Sequence, residues 1–218
     1  MPRRSAEPDP HHDGDHGRRE RTGRERNTDL RARNDGHDRE RIAHAAARII
    51  AEHGLTDWAQ AKRKASRQLM LPESAPLPSN EEIEAALTSY HALFAATAHE
   101  ASLRTQREEA LAWMKRLAAW DPLLVGGVAA GWATAHSDIR LELVADDAKA
   151  VEIALANDGV RYAALSPRAS DTGAELLIET PRASLRVAVL TPGERRNRPR
   201  RDEEPRLAAG AVAALLEK

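Results

Sequence analysis

The hydrophobic period of the chain changes once, at Asp121-Pro122, and this change constrains the fold more than any other feature of the sequence. Before it, apolar residues recur every three or four positions, as on the buried side of a helix. After it, short segments such as DIRLEL and SLRVAVL alternate apolar and polar residues, as half-buried strands do. The sequence therefore predicts an α+β fold, in which a helical region at 41–120 packs on a small mixed β-sheet domain at 121–192.

Capping signals divide the helical region into separate helices. Gly54 follows RIAHAAARIIAEH and is expected to end the first helix, and Asp57 is expected to cap the second. Ser79 and Glu82 form a capping-box pattern before the third. A fourth helix is expected at about 102–120. The apolar stripe of the third helix is predicted to comprise Ile83, Leu87, Tyr90 and Phe94.

Three further segments complete the predicted organisation. Residues 1–40 are mostly Arg, Asp, Glu, His and Gly, and such a segment cannot bury enough apolar surface to offset the entropy of ordering it. We therefore predict a disordered charged arm at 1–40. A charged loop is expected at 193–205, and an Ala/Leu-rich C-terminal helix at 206–218.

Composition narrows the classes of function. The net charge of −1 gives no global electrostatic reason to expect nucleic acid as a partner. The chain contains no cysteine, which rules out disulfides and thiolate metal sites. No run is apolar enough to predict a membrane span, and no apolar leader is recognised. The expectation is a cytoplasmic protein with no membrane partner.

Candidate site residues lie in LLVGGVAAGWATAHSDIRLEL, which runs over 123–143. Gly126, Gly127 and Gly131 surround a predicted strand-to-helix turn, where glycine permits positive φ angles and lets backbone N–H groups approach a phosphate. Asp138 begins the next predicted strand. Side chains two residues apart on a strand share a face, so Asp138, Arg140 and Glu142 are expected to project together. This spacing predicts a polar site beside the turn.

The block from Gly126 to Leu141 resembles the signature of the nucleotidyltransferase superfamily related to DNA polymerase beta. In that superfamily a Gly-Gly or Gly-Ser turn precedes an Asp-x-Asp pair, and two Mg²⁺ ions are held by that pair and a third acid from a later strand. The resemblance implies a nucleotide-binding role for Gly126, Gly127, Gly131 and Ser137, and a catalytic, metal-binding role for Asp138. The segments AKRKASRQL and SDIRLELVADDAKAVEIALANDGVRY also resemble uncharacterised bacterial proteins that join helices to such a domain.

The sequence departs from this signature where the metal ligands should be. Arg140 stands at the position of the second acid, and the later strand SLRVAVL carries Arg186 and no carboxylate. We therefore expect a degenerate nucleotidyltransferase-like protein that binds a nucleotide or another partner. Arg140 and Arg186 are predicted to contribute to that binding, and Arg140 is expected to pair with Asp138 or with a bound anion.

Two other classes stay open. The first is an active transferase that needs Mg²⁺ and moves a nucleoside monophosphate to an unknown acceptor. Asp138 and Glu142 would then hold the metal, with Glu175 or Glu179 as substitute ligands. The second is a DNA-binding regulator. It is disfavoured because WAQAKRKASRQLML forms one uninterrupted helical pattern rather than a helix-turn-helix. The basic residues of that pattern, Lys62, Arg63, Lys64 and Arg67, fit a solvated helix face better than a phosphate contact.

Overall fold

A computed structural model describes residues 16–55, 57–165, 173–198 and 205–217 of the chain. The described part is a mixed α+β structure, as the change of period predicts. Its helices are α1 (His16–His53), α2 (Trp58–Gln68), α3 (Asn80–Phe94), α4 (Ala96–Arg116), α5 (Gly126–Ala130), α6 (Ala148–Asn157), α7 (Pro192–Asn197) and α8 (Ala209–Leu216). Its strands are β1 (Leu123–Val125), β2 (Ile139–Val144), β3 (Ala163–Leu165), β4 (Ala174–Glu179) and β5 (Ser184–Leu190).

The strands form one open, five-stranded sheet in the order β1-β2-β5-β4-β3. Strand β2 is parallel to β5, and the other neighbouring strands are antiparallel. The register places Arg140 beside Arg186 and Arg186 beside Leu177. Because neighbouring residues in register point to the same face, the two arginines lie on one side of the sheet.

All the apolar residues of the sheet core lie on the opposite side, under α4, α5, α6 and α8. Leu124, Leu141 and Val187 are buried there against Met114 of α4 and Val212 of α8. Alternation along β2 and β5 sends the intervening polar residues to the other side, which we call the polar face. The predicted arrangement of helices on one face of a small mixed sheet is thus the one observed.

The first three helices form a second core of their own. Its buried residues are Ile42, Ala43, Ala46, Ala47, Ile49, Ile50, Ala61, Ala65, Ile83, Ala86 and Leu87. Small alanine side chains let the helix axes approach closely. Helix α4 contributes instead to the sheet core, through Leu103, Ala110, Trp113, Met114 and Leu117. The helical region predicted at 41–120 is therefore divided between a helical unit, α1–α3, and a sheet unit that begins with α4.

The predicted helix ends are confirmed. Gly54 has φ +63° and its N–H bonds to the carbonyl of Ile50 at 3.0 Å, which closes α1. The Asp57 carboxylate accepts the N–H of Gln60. Ser79 and Glu82 complete the reciprocal capping box of α3.

The predicted stripe of α3 is wrong at its C-terminal end. Ile83 and Leu87 are fully buried, but the side chain of Phe94 is 74% exposed and His91 is buried in its place. The buried positions of α3 advance by four residues, from 83 to 87 to 91, because α3 ends against the start of α4. Phe94 then lies past the last contact with the helical core.

The ends of the chain differ from the expected organisation in part. Residues 1–15 of the predicted arm lie outside the described residues, and the helix α1 begins at His16. The predicted charged loop at 193–205 includes most of α7, which is capped by Thr191 and Glu194, while 199–204 are outside the described ranges. The expected C-terminal helix is α8. Among the described helices, none combines the length and apolar character needed to span a bilayer.

Candidate functional site

The candidate turn lies where the helical and sheet units meet. Trp132, which follows α5, packs against Trp58 at the start of α2 with ring centroids 5.1 Å apart. A Cβ on Gly127 would lie 2.7 Å from the Trp132 ring, and a Cβ on Gly54 would lie 2.7 Å from the His136 ring. Both glycines are therefore needed for the contact between the units, which we call the seam.

The remaining glycines of the turn have conformational roles. Gly126 has φ +69° and Gly131 has φ +94°, values that L side chains rarely adopt. A Cβ on Gly126 would lie 3.2 Å from Cδ of Arg140, so the stem of Arg140 crosses directly over this glycine. The turn thus brings its backbone next to the arginine that replaces the expected acid.

The loop between α5 and β2 is held by its own polar groups. The hydroxyl of Ser137 accepts the N–H of Thr134 at 2.9 Å. The amide of Gln106 on α4 donates to the carbonyls of Thr134, at 2.9 Å, and Ser137, at 3.3 Å. Ser137, a predicted nucleotide contact, therefore braces the loop that positions Asp138. The sequence analysis missed Gln106, because its partners lie about 30 residues away along the chain.

The partner of Asp138 is Arg186. Its Nε donates to the Asp138 carboxylate at 2.5 Å, and its Nη1 lies 3.5 Å from the Glu175 carboxylate. The expected pairing of Arg140 with Asp138 is therefore wrong: the parallel register of β2 and β5 places Arg186 closer. Burial lowers the pKa of Arg186, but the two carboxylates outweigh burial and raise it, so the guanidinium stays charged.

Arg140 differs from Arg186 in having no ionic partner. Its side chain is exposed on the polar face, and no hydrogen bond or ion pair joins it to another described residue. Glu142, the next residue on the same face, is only 3% exposed and is paired with Arg198 at 3.1 Å and with Arg206 at 3.8 Å. Four arginines thus meet three carboxylates on this face, and Arg140 is the one left accessible among the described arginines there.

A shallow polar cleft lies beside Asp138, at the end of the sheet where β2 begins. It has a volume of about 230 Å³, and Gln106, His136, Glu179 and Arg182 are among the residues that line it. Glu179 accepts the hydroxyl of Ser184 at 2.7 Å, so this predicted substitute ligand is turned towards its own hairpin.

Two stacked imidazoles lie behind the turn. The rings of His91 and His99 are parallel to within 9°, with centroids 3.8 Å apart. His99 Nε2 lies 2.9 Å from the carbonyl of Gly131. Burial, and then the charge of His99, lower the pKa of His91. This pair links the ends of α3 and α4 to the turn.

The structure brings together several of the predicted site residues and separates others. Gly126, Arg140, Asp138 and Arg186 meet at the polar face. Gly127 and Gly131 shape the backbone of the turn and the seam, and Glu142 is enclosed by arginines. Within the described residues, no three His, Asp or Glu side chains are grouped as metal ligands.

Comparisons with known proteins add no assignment to this geometry. No family model matches the chain, and neither the curated proteins nor the solved structures include a significant match.

Proposed function

We propose that the protein binds a nucleotide or a related phosphate-bearing anion on the polar face, as a nucleotidyltransferase-like protein without two-metal chemistry. The observation that supports this proposal most is the position of Arg186 between Asp138 and Glu175. In a two-metal site, cations stand between such carboxylates. Here a permanently charged side chain of the protein takes that position.

The accessible Arg140 supplies the attraction for an anion. Its guanidinium offers five donors in a planar fork that matches phosphate oxygens, and no described carboxylate occupies that fork. The stem of Arg140 lies over Gly126, so an anion bound there is next to the turn. The polar face is thus equipped for phosphate recognition by arginine.

The test is calorimetric titration of nucleoside triphosphates, with Mg²⁺ and with a chelator. We expect equal affinity in both conditions, because the protein's own arginines supply the positive charge. Arg140→Gln should weaken binding at least about tenfold, since a charge-assisted hydrogen bond contributes about 1.5–3 kcal/mol. Arg161→Gln, which removes an exposed arginine after α6, is the matched control and should leave affinity unchanged.

The competing function is the active transferase that requires Mg²⁺. It predicts release of pyrophosphate from a nucleoside triphosphate in the presence of Mg²⁺, and loss of that release in Asp138→Ala. Observation of both results would refute the metal-free proposal.

A gain of metal binding would separate the two arginines' roles. Arg140→Asp alone restores the second acid but leaves Arg186 on Asp138, so we expect little Mg²⁺ binding. The double variant Arg140→Asp with Arg186→Ser exposes three carboxylates to one another, and Mg²⁺ should then raise its melting temperature. Equal response of the single and double variants would show that Arg186 does not occupy the cation position.

A further inference from the structure

Helix α2 presents an unneutralised basic surface. Arg63, Lys64 and Arg67 are exposed, and they lie opposite Ala61 and Ala65, which are buried in the helical core. Helix α2 contains no acidic residue. Among the described residues, no carboxylate forms an ion pair with any of these three side chains. We call these three residues the outer face of α2.

Other basic side chains of the helical unit are treated differently. Arg39, Arg41 and Arg48 of α1 each lie within 4.0 Å of a carboxylate, those of Glu82, Asp38 and Glu52. Lys62 donates to the amide oxygen of Asn80 at 2.8 Å. The concentration of three unpaired cations on one short helix is therefore a local property and does not follow from the composition of the unit.

We propose that the outer face of α2 binds the phosphodiester backbone of a nucleic acid, independently of base sequence. Arg63 and Arg67 are four residues apart and hence about 6 Å apart along the helix axis. One strand of a B-form duplex presents a phosphate about every 3.4 Å along its axis, so the pair spans neighbouring phosphates. Arginine and lysine are the side chains that neutralise such phosphates.

The chemistry of the outer face favours nucleic acid over other acidic partners. A helix that lies on an anionic membrane exposes an apolar side to the lipid, but the apolar side of α2 is inside the helical core. The centre of a protein interface is enriched in aromatic and apolar residues. The outer face is bordered instead by the exposed amides of Gln60 and Gln68. It carries charge alone, as a phosphate contact requires.

The proposal does not rest on the nucleotide site. The helical unit contacts the sheet unit through Trp58, at the first turn of α2, whereas the outer face points away from both cores. Loss of binding at one site should therefore leave the other unchanged.

The test is fluorescence anisotropy of the full chain with labelled single-stranded RNA, single-stranded DNA and duplex DNA. For three phosphate contacts, a duplex affinity should fall about 40-fold between roughly 50 and 200 mM salt. The triple variant Arg63→Gln, Lys64→Gln, Arg67→Gln should lose that salt dependence and most of the binding. The control variant Arg104→Gln, Lys115→Gln, Arg161→Gln changes the charge equally at exposed positions of the sheet unit and should bind like the parent.

Three results would overturn the proposal. The first is that the parent binds none of the probes at about 50 mM salt. The second is that the triple variant binds like the parent. The third is an equal loss in the control variant, which would indicate a diffuse charge effect. Circular dichroism of both variants should match the parent, since every substituted side chain is exposed. Nucleotide titration of the triple variant, which should be unchanged, distinguishes this proposal from the nucleotide site.

Discussion

The helical unit and the sheet unit bury their apolar residues in different ways. Six of the eleven buried residues in the core of α1–α3 are alanines, and each helix there contacts a helix close to it in sequence. The core of the sheet unit is built from larger leucine, isoleucine and valine side chains, and it joins Leu103 of α4 to Val212 of α8. Since burial energy scales with apolar area, the sheet unit should be the more stable of the two.

The largest expected effects are those of truncating one core at a time. Leu141→Ala in β2 and Leu87→Ala in α3 each remove a side chain that is at most 1% exposed, and each should cost about 2–5 kcal/mol. Hydrogen exchange should show faster opening of α1–α3 alone in Leu87→Ala, and of the whole chain in Leu141→Ala. Leu93→Ala, at a side chain 75% exposed, is the control and should be nearly neutral. A uniform response to Leu87→Ala would show that the two units unfold together.

The seam should give the next largest effect. Trp132 is partly buried against the helical core, so Trp132→Ala should cost roughly 2 kcal/mol, less than truncation of a fully buried aromatic residue. A double-mutant cycle with Trp58→Ala should yield a coupling of about 0.5–1.5 kcal/mol between the two rings. Absence of coupling in denaturant titrations would mean that the units do not meet through this pair.

A smaller effect, dependent on pH, is expected from the stacked imidazoles. The pKa of His91 is lower in the folded chain than in the unfolded chain, where a histidine titrates near about 6.5. The unfolded state therefore binds protons first as the solution is acidified. The contribution of His91 to stability should be complete above about pH 6.5 and should be lost as pH falls below that value.

The matched variants for this pH dependence are His91→Phe and His44→Gln. The first keeps a ring in the stack and should flatten the fall of melting temperature between neutral and mildly acidic pH. The second removes an exposed histidine of α1 and should leave the profile as in the parent. A parental profile in His91→Phe would assign the acid sensitivity to other groups.

The smallest effect should come from removal of the N-terminal segment. A chain that starts at Arg41 loses the ion pair between Arg39 and Glu82, in which both side chains are more than 40% exposed. Exposed pairs contribute about 0–1 kcal/mol, so the melting temperature should change by only a few degrees. A larger loss would show that the segment before Arg41 packs on the described units.

Local signals in the sequence were sufficient for the elements and their ends. Gly54 and Asp57 act through the backbone groups of their own helices, and the strands after Pro122 follow from alternation within a few residues. The same reasoning failed at Phe94, because the burial of a helix end depends on which neighbour covers it. It also failed for α4, whose apolar stripe fits either unit when only its spacing is considered.

The candidate site separates the two kinds of information most clearly. The sequence by itself determined that Asp138 would begin a strand next to a glycine turn, and that arginines would stand where a metal site needs acids. Only the tertiary structure decided that Arg186 pairs with Asp138 and that Arg140 is left accessible. The physical reason is that ion pairing depends on distance between side chains, and the parallel register of β2 and β5 joins residues 48 positions apart in the chain.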